Sequence, residues 1–122
     1  MRLILLFSVL LSCDSRPPNY GPIELKEMAK LGDPNLEVRV PKDFSEQLVD
    51  CSAYTPPCRY GLIVKVRNVE MRPLYYDDQD KALKAAKRIR GYVSRNWVFD
   101  DVAGEPVLED FVKEYLHAVK AE

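Results

Sequence analysis

The sequence predicts an α+β domain: a small sheet of two to four strands with helices packed on one face, after a flexible N-terminal tether. Three observations carry this expectation. Residues 36–40 and 60–69 alternate apolar with charged side chains, as half-buried strands do. The stretches after Asp77 and after Pro106 repeat apolar residues at helical spacing. From residue 59 onward the order is strand, helix, strand, helix, which one sheet and a layer of helices accommodate.

Residues 14–22 contain Pro17, Pro18, Gly21 and Pro22 and lack apolar periodicity, so they are expected to form an extended tether of roughly 28 Å. Leu25, Met28 and Leu31 then predict a short amphipathic helix over 23–31, ended by Gly32 and Asp33-Pro34. The strand at 36–40 closes at Pro41. Phe44, Leu48 and Cys51 fall at helical spacing after Asp43, which predicts a second short helix. In 60–69, Leu62, Val64 and Val66 share a face opposite Lys65 and Arg67.

Asp77 to Asp80 supply the N-terminal cap of a helix of roughly fifteen residues. Leu83, Ala86, Ile89, Arg90 and Val93 would form its buried stripe, with Ala82 and Ala85 allowing close approach and Lys81, Lys84, Lys87 and Arg88 on the wet side. Residues 96–102, with Trp97-Val98-Phe99, predict a strand. Gly104-Glu105-Pro106 opens the last helix, whose apolar face is Leu108, Phe111, Val112, Tyr115, Leu116 and Val119.

With 47% hydrophobic and 30% charged residues in 122, the chain has the composition of a folded domain, and its length supports one core only. A net charge of −1 removes the electrostatic footprint of a dedicated nucleic-acid binder.

The N-terminus carries an address. Arg2 precedes nine residues, 3–11, that contain one hydroxyl and no charge. As a helix this run spans roughly 14 Å, too little for a bilayer core of about 30 Å, so it reads as a signal h-region. Its end, Leu10-Leu11-Ser12-Cys13, resembles the lipobox of bacterial lipoproteins. The resemblance implies that residues 1–12 are a signal peptide removed before Cys13, and that Cys13 is lipidated. Residues 13–22 then form the lipidated cysteine and tether, and residues 23–122 the single domain. It also implies a bacterial cell-envelope location, membrane-anchored and facing the periplasm or exterior. Asp14 is similar to the inner-membrane retention signal of enterobacterial lipoproteins, and the choice of inner or outer membrane stays open.

Three cysteines would leave a stray thiol in an exported protein, and lipidation of Cys13 resolves the odd count. Cys51 and Cys58 remain as a pair, expected to join in an oxidising envelope and to stabilise the fold by roughly 2.5 kcal/mol. Their spacing suits neither CxxC redox chemistry nor a zinc knuckle.

Little else points to chemistry, and no catalytic residue, metal site or cofactor is expected. His117 is the lone histidine, near the end of the last helix, and no nucleophile elbow, phosphate loop or HExxH motif occurs. Asp77, Asp78 and Asp80, and Asp100, Asp101 and Glu105, cluster at expected helix starts, where carboxylates cap. Charge is segregated: residues 59–95 hold ten Lys plus Arg against four acids, and residues 96–122 hold two against seven. The basic stretch makes Arg59, Tyr60, Tyr75, Tyr76, Lys81, Lys84, Lys87 and Arg88 a candidate binding surface.

The leading expectation is a non-enzymatic envelope lipoprotein, anchored in the membrane by lipid, whose domain binds an envelope protein or cell-wall polymer and no nucleic acid. One alternative is a small envelope hydrolase or enzyme modulator using Asp77, Asp78, Asp100, Asp101 or Glu105. The other is a structural lipoprotein with a membrane-facing basic helix.

Overall fold

Arg67 and Asn68 both adopt positive φ, 49° and 67°, in the computed structural model of the chain. A two-residue turn of this hand matches the twist of the strands it joins, and it closes a hairpin between β3 (Ile63–Val66) and β4 (Val69–Tyr75). The structure describes residues 16–43 and 45–122. The expected signal peptide 1–12, Cys13, Asp14 and Phe44 lie outside the described residues.

The hairpin continues through β2 (Tyr60–Gly61), which pairs with β4 in the same register, Tyr60 opposite Tyr75. What separates β2 from β3 is Leu62, whose N–H donates to Pro73 O at 2.8 Å, while Pro73 has no N–H to return. Completing the sheet are β1 (Glu37–Arg39), β5 (Tyr92–Ser94), β6 (Trp97–Asp100) and β7 (Val119–Lys120). The order is β1-β3-β4-β6-β5-β7, with every pairing antiparallel. Three helices join it: α1 (Pro22–Gly32), α2 (Gln79–Ile89) and α3 (Pro106–Tyr115). β4 and β5 therefore run parallel, joined through α2, with β6 inserted between them. β6 and β7 run parallel through α3, with β5 between, so two strand–helix–strand units interlock.

The expectation of two to four strands with helices on one face is thus overturned: the sheet has seven strands and carries helices on both faces. Successive side chains of a strand point to opposite faces, so Trp97 and Phe99 join the core under α1 and α3 while Val98 packs under α2. Three strands escape sequence patterning for separate reasons. In β4 the alternation of Val69, Glu70, Met71 and Arg72 breaks at Pro73, which is buried together with the next residue, Leu74. Val93 belongs to β5 rather than to α2, because Arg90 turns left-handed (φ 53°) and its N–H caps Ala86 O and Lys87 O. Val119 belongs to β7, because α3 ends at Tyr115 and His117 also has positive φ.

The buried face of α2 is correspondingly narrower than expected. Ala82, Ala85 and Ala86 are buried, whereas Leu83 is 39% exposed. The helix anticipated after Asp43 does not form: the described residues 45–50 are turns and bends, and only a 3₁₀ turn, Cys51–Ala53, follows. On the other face α1 meets α3 closely at Gly32, where a Cβ would collide with the Tyr115 and Phe111 rings. The Cys51–Cys58 disulfide is formed, with Cα atoms 4.9 Å apart. It pins the loop against Val49, Leu74 and Tyr76, and Tyr76 Oη donates to Pro56 O at 2.7 Å.

From Arg16 the expected free tether is instead a docked strap. Gln79 Nε2 donates to Pro17 O (2.7 Å) and to Asn19 Oδ1 (2.9 Å), and Arg95 Nη1 donates to Pro18 O (3.0 Å). Tyr20 is only 7% exposed, with the Arg95 guanidinium 4.1 Å above its ring. Its N–H donates to Asn96 Oδ1 (2.8 Å), and its carbonyl accepts from Asn96 Nδ2 (3.1 Å) and Trp97 Nε1 (2.9 Å). Prolines without N–H groups leave carbonyls that need donors, and the domain supplies them.

Candidate functional site

Where β2 begins and β4 ends, Tyr60 and Tyr75 face each other across the ladder. Their rings stack 4.8 Å apart at 15°, and the buried Trp97 ring meets both edge-on. The chain leaving β1 passes this end of the sheet at residues 40–43 and 46–49 and packs Val49 against Gly61, where a side chain would clash. Between that segment and the tyrosines lies a groove of about 700 Å³.

The groove has an apolar lining and a charged rim. Val40, Leu48, Val49, Tyr60 and Tyr75 contribute the former, and Lys42, Asp43, Glu46, Arg59 and Asp77 the latter. Arg59 Nη1 and Asp77 Oδ2 pair at 3.0 Å, both side chains well exposed, so the pair orients the rim more than it stabilises the fold. Aromatic rings beside charges of both signs suit a ligand with an apolar or ring face and several polar groups.

No protein-family model, curated protein or solved structure matches this chain.

Of the eight expected surface residues, Arg59, Tyr60 and Tyr75 come together at the groove. Lys81, Lys84, Lys87 and Arg88 are exposed on α2 and line none of it. Tyr76 is a correction: at 1% exposure it belongs to the core beneath α2, because it follows Tyr75 on the strand and points to the other face. Residues 40–43 and 46–49, absent from the expected surface, supply one wall, and the mixed apolar and charged sequence there carried only a helical spacing.

The aspartates of the two acidic clusters have structural partners. Asp78 Oδ1 accepts from the N–H groups of Asp80 and Lys81, the N-cap of α2, and these bonds hold its carboxyl below the usual range. Asp80 pairs with Arg16 at 3.0 Å and Asp101 with Arg72 at 3.5 Å. Asp100 accepts from Tyr54 Oη at 2.5 Å, and burial followed by this carboxylate raises the Tyr54 phenol. Glu105 precedes α3 without a side-chain capping bond. Among the described residues no three His, Cys, Asp or Glu side chains converge as a metal site would require.

The tyrosines give the domain an alkaline limit. Burial, then the neighbouring Tyr75, pushes Tyr60 up to about 12, and burial pushes Tyr76 to about 12, from an ordinary 10.0. Native and unfolded chains both keep these phenols protonated below pH 10, so their contribution is complete there. It is lost as pH rises from 10 through 12, because the unfolded chain releases the protons first. A base titration should show phenolate absorbance and loss of the fold rising together in that window, and ionisation of all tyrosines near pH 10 with the fold intact would contradict it.

Proposed function

We propose that this protein is a bacterial envelope lipoprotein, held to a membrane by lipid on Cys13, that binds an envelope ligand without transforming it. The observation that carries the address is Leu10-Leu11-Ser12-Cys13 at the end of a short apolar run. The Cys51–Cys58 disulfide supports it, since such bonds persist in oxidising compartments. The contact site is the groove at Tyr60 and Tyr75. Its stacked rings and charged rim favour a cell-wall polymer, whose sugar rings lie flat on aromatic faces and whose substituents carry charge.

Intact mass of the membrane-extracted protein tests the anchor. Loss of residues 1–12 with a diacylglyceryl addition is expected, and an unmodified full-length chain would overturn the reading. Solubilised cell-wall fragments titrated onto the mature protein should perturb Tyr60, Tyr75 and Arg59 resonances, and Tyr75→Ala should abolish the response. Perturbation elsewhere, with these three silent, would remove the groove from the proposal.

A further inference from the structure

The docked strap bears on how a lipid anchor would present the domain. Cys13 is three residues before Arg16, and three residues of fully extended chain reach about 11 Å. Arg16 pairs with Asp80 in the first turn of α2 (Nη2 to Oδ1, 3.0 Å), an exposed contact that orients it, and Pro17 to Tyr20 are held onward by bonds to Gln79, Arg95 and Asn96. The leash is therefore far shorter than the roughly 28 Å of a free tether, and it starts from one place on the surface.

That place adjoins a face with membrane chemistry. From Asp80, Lys84 and Lys87 follow one and two turns along the same side of α2, and both are exposed. Leu83 and Val119, exposed by 39% and 64%, share a depression of about 490 Å³ with Arg16 and Arg95. The acids at the start of α2 are engaged: Asp80 with Arg16, Asp77 with Arg59, and Asp78 with the first N–H groups of the helix, while Glu122 follows β7 as an exposed acid. Among the described residues no acid pairs with Lys84 or Lys87.

We propose that the α2–β7 face, Leu83, Lys84, Lys87 and Val119, lies on the anionic surface of the bilayer that holds the lipidated Cys13. The proposal rests on the lipid anchor argued above. Lysines meet lipid phosphates while the two aliphatic side chains enter the headgroup boundary. The strap sets this orientation, and the anchor makes the contact intramolecular.

The test uses the mature lipidated protein, its mass verified first, in vesicles of phosphatidylglycerol and phosphatidylcholine with spin-labelled headgroups. Amides of residues 83–87 and 119 should be broadened, and added salt should weaken the effect. Lys84→Gln and Lys87→Gln should each lower the ratio of docked to undocked protein roughly fivefold while the protein still floats with the vesicles. Inserting about ten Gly and Ser residues between Ser15 and Arg16 should also reduce broadening, since effective concentration falls with leash length. If the protein carries lipid and floats, but these amides stay sharp or another face broadens, the orientation is wrong and the lipoprotein reading stands. If the mass shows no lipid on Cys13, both fall together.

Discussion

Asn96→Ala is expected to cost about 4 kcal/mol and to free the N-terminal strap. Asn96 is fully buried and one amide serves three backbone groups: Oδ1 accepts from Tyr20 N–H, and Nδ2 donates to Tyr20 O and Tyr76 O. Truncation leaves the Tyr20 N–H without this partner and removes a donor from the Tyr76 carbonyl. Each buried group stranded in this way costs about 1–3 kcal/mol, whereas the Tyr20 carbonyl keeps Trp97 Nε1. For a domain of this size such a loss is a large part of total stability. Denaturant unfolding should show the midpoint falling with little change in slope, and hydrogen exchange should show Tyr20 losing protection ahead of the sheet. Arg95→Ala, which removes only the bond to Pro18 O and the stacking on Tyr20, should cost about 1 kcal/mol. Equal costs for the two substitutions, with Tyr20 still protected in Asn96→Ala, would sink this account of the strap.

Asn96 also marks where sequence patterning stops. Its position after Arg95 repeats an Arg-Asn pair found at Arg67-Asn68, and both pairs close two-residue hairpins, with Arg95 at φ 52°. Each lies between strand residues, which is the signal that could have revealed β4 and β5. Neither holds the glycine that usually advertises such a turn. Where local chemistry dominates, the expectations hold: the Asp78 cap fixes the start of α2, Pro106 opens α3, and Leu62, Val64 and Val66 line one face. They fail where a residue's role is set by distant chain. Val93 and Val119 continue helical periods on paper, but pairing with each other on adjacent strands claims them instead. Pro17 and Pro18 spell a tether until Gln79 and Arg95, more than sixty residues away, offer donors to their carbonyls. The groove has the same character. Arg59, Tyr60 and Tyr75 belong to the surface that the basic stretch suggests, but the wall beside them at 40–43 and 46–49 is placed by the Val49–Gly61 contact, which no periodicity encodes.

Cys13→Ser is expected to move the protein from the membrane to the soluble fraction. Each buried CH₂ contributes about 0.8 kcal/mol, so a chain of myristoyl length holds a protein only marginally, and a second adds roughly 10 kcal/mol. A serine hydroxyl does not take the thioether-linked diacylglycerol that the lipobox resemblance implies. The apolar run 3–11 is a weak substitute for it, since as a helix it covers less than half of a bilayer core. The strap and the α2 face do not compensate either: two lysines attract an anionic surface by about 1 kcal/mol each, and salt screens them. Detergent-phase partitioning after a high-salt wash should therefore place the wild type with the detergent and Cys13→Ser in the aqueous phase. Tyr60 and Tyr75 should stay packed, because both rings meet the buried Trp97 ring edge-on within the domain. Retention of Cys13→Ser in the detergent phase would show that something other than acyl chains on this cysteine holds the protein to the membrane.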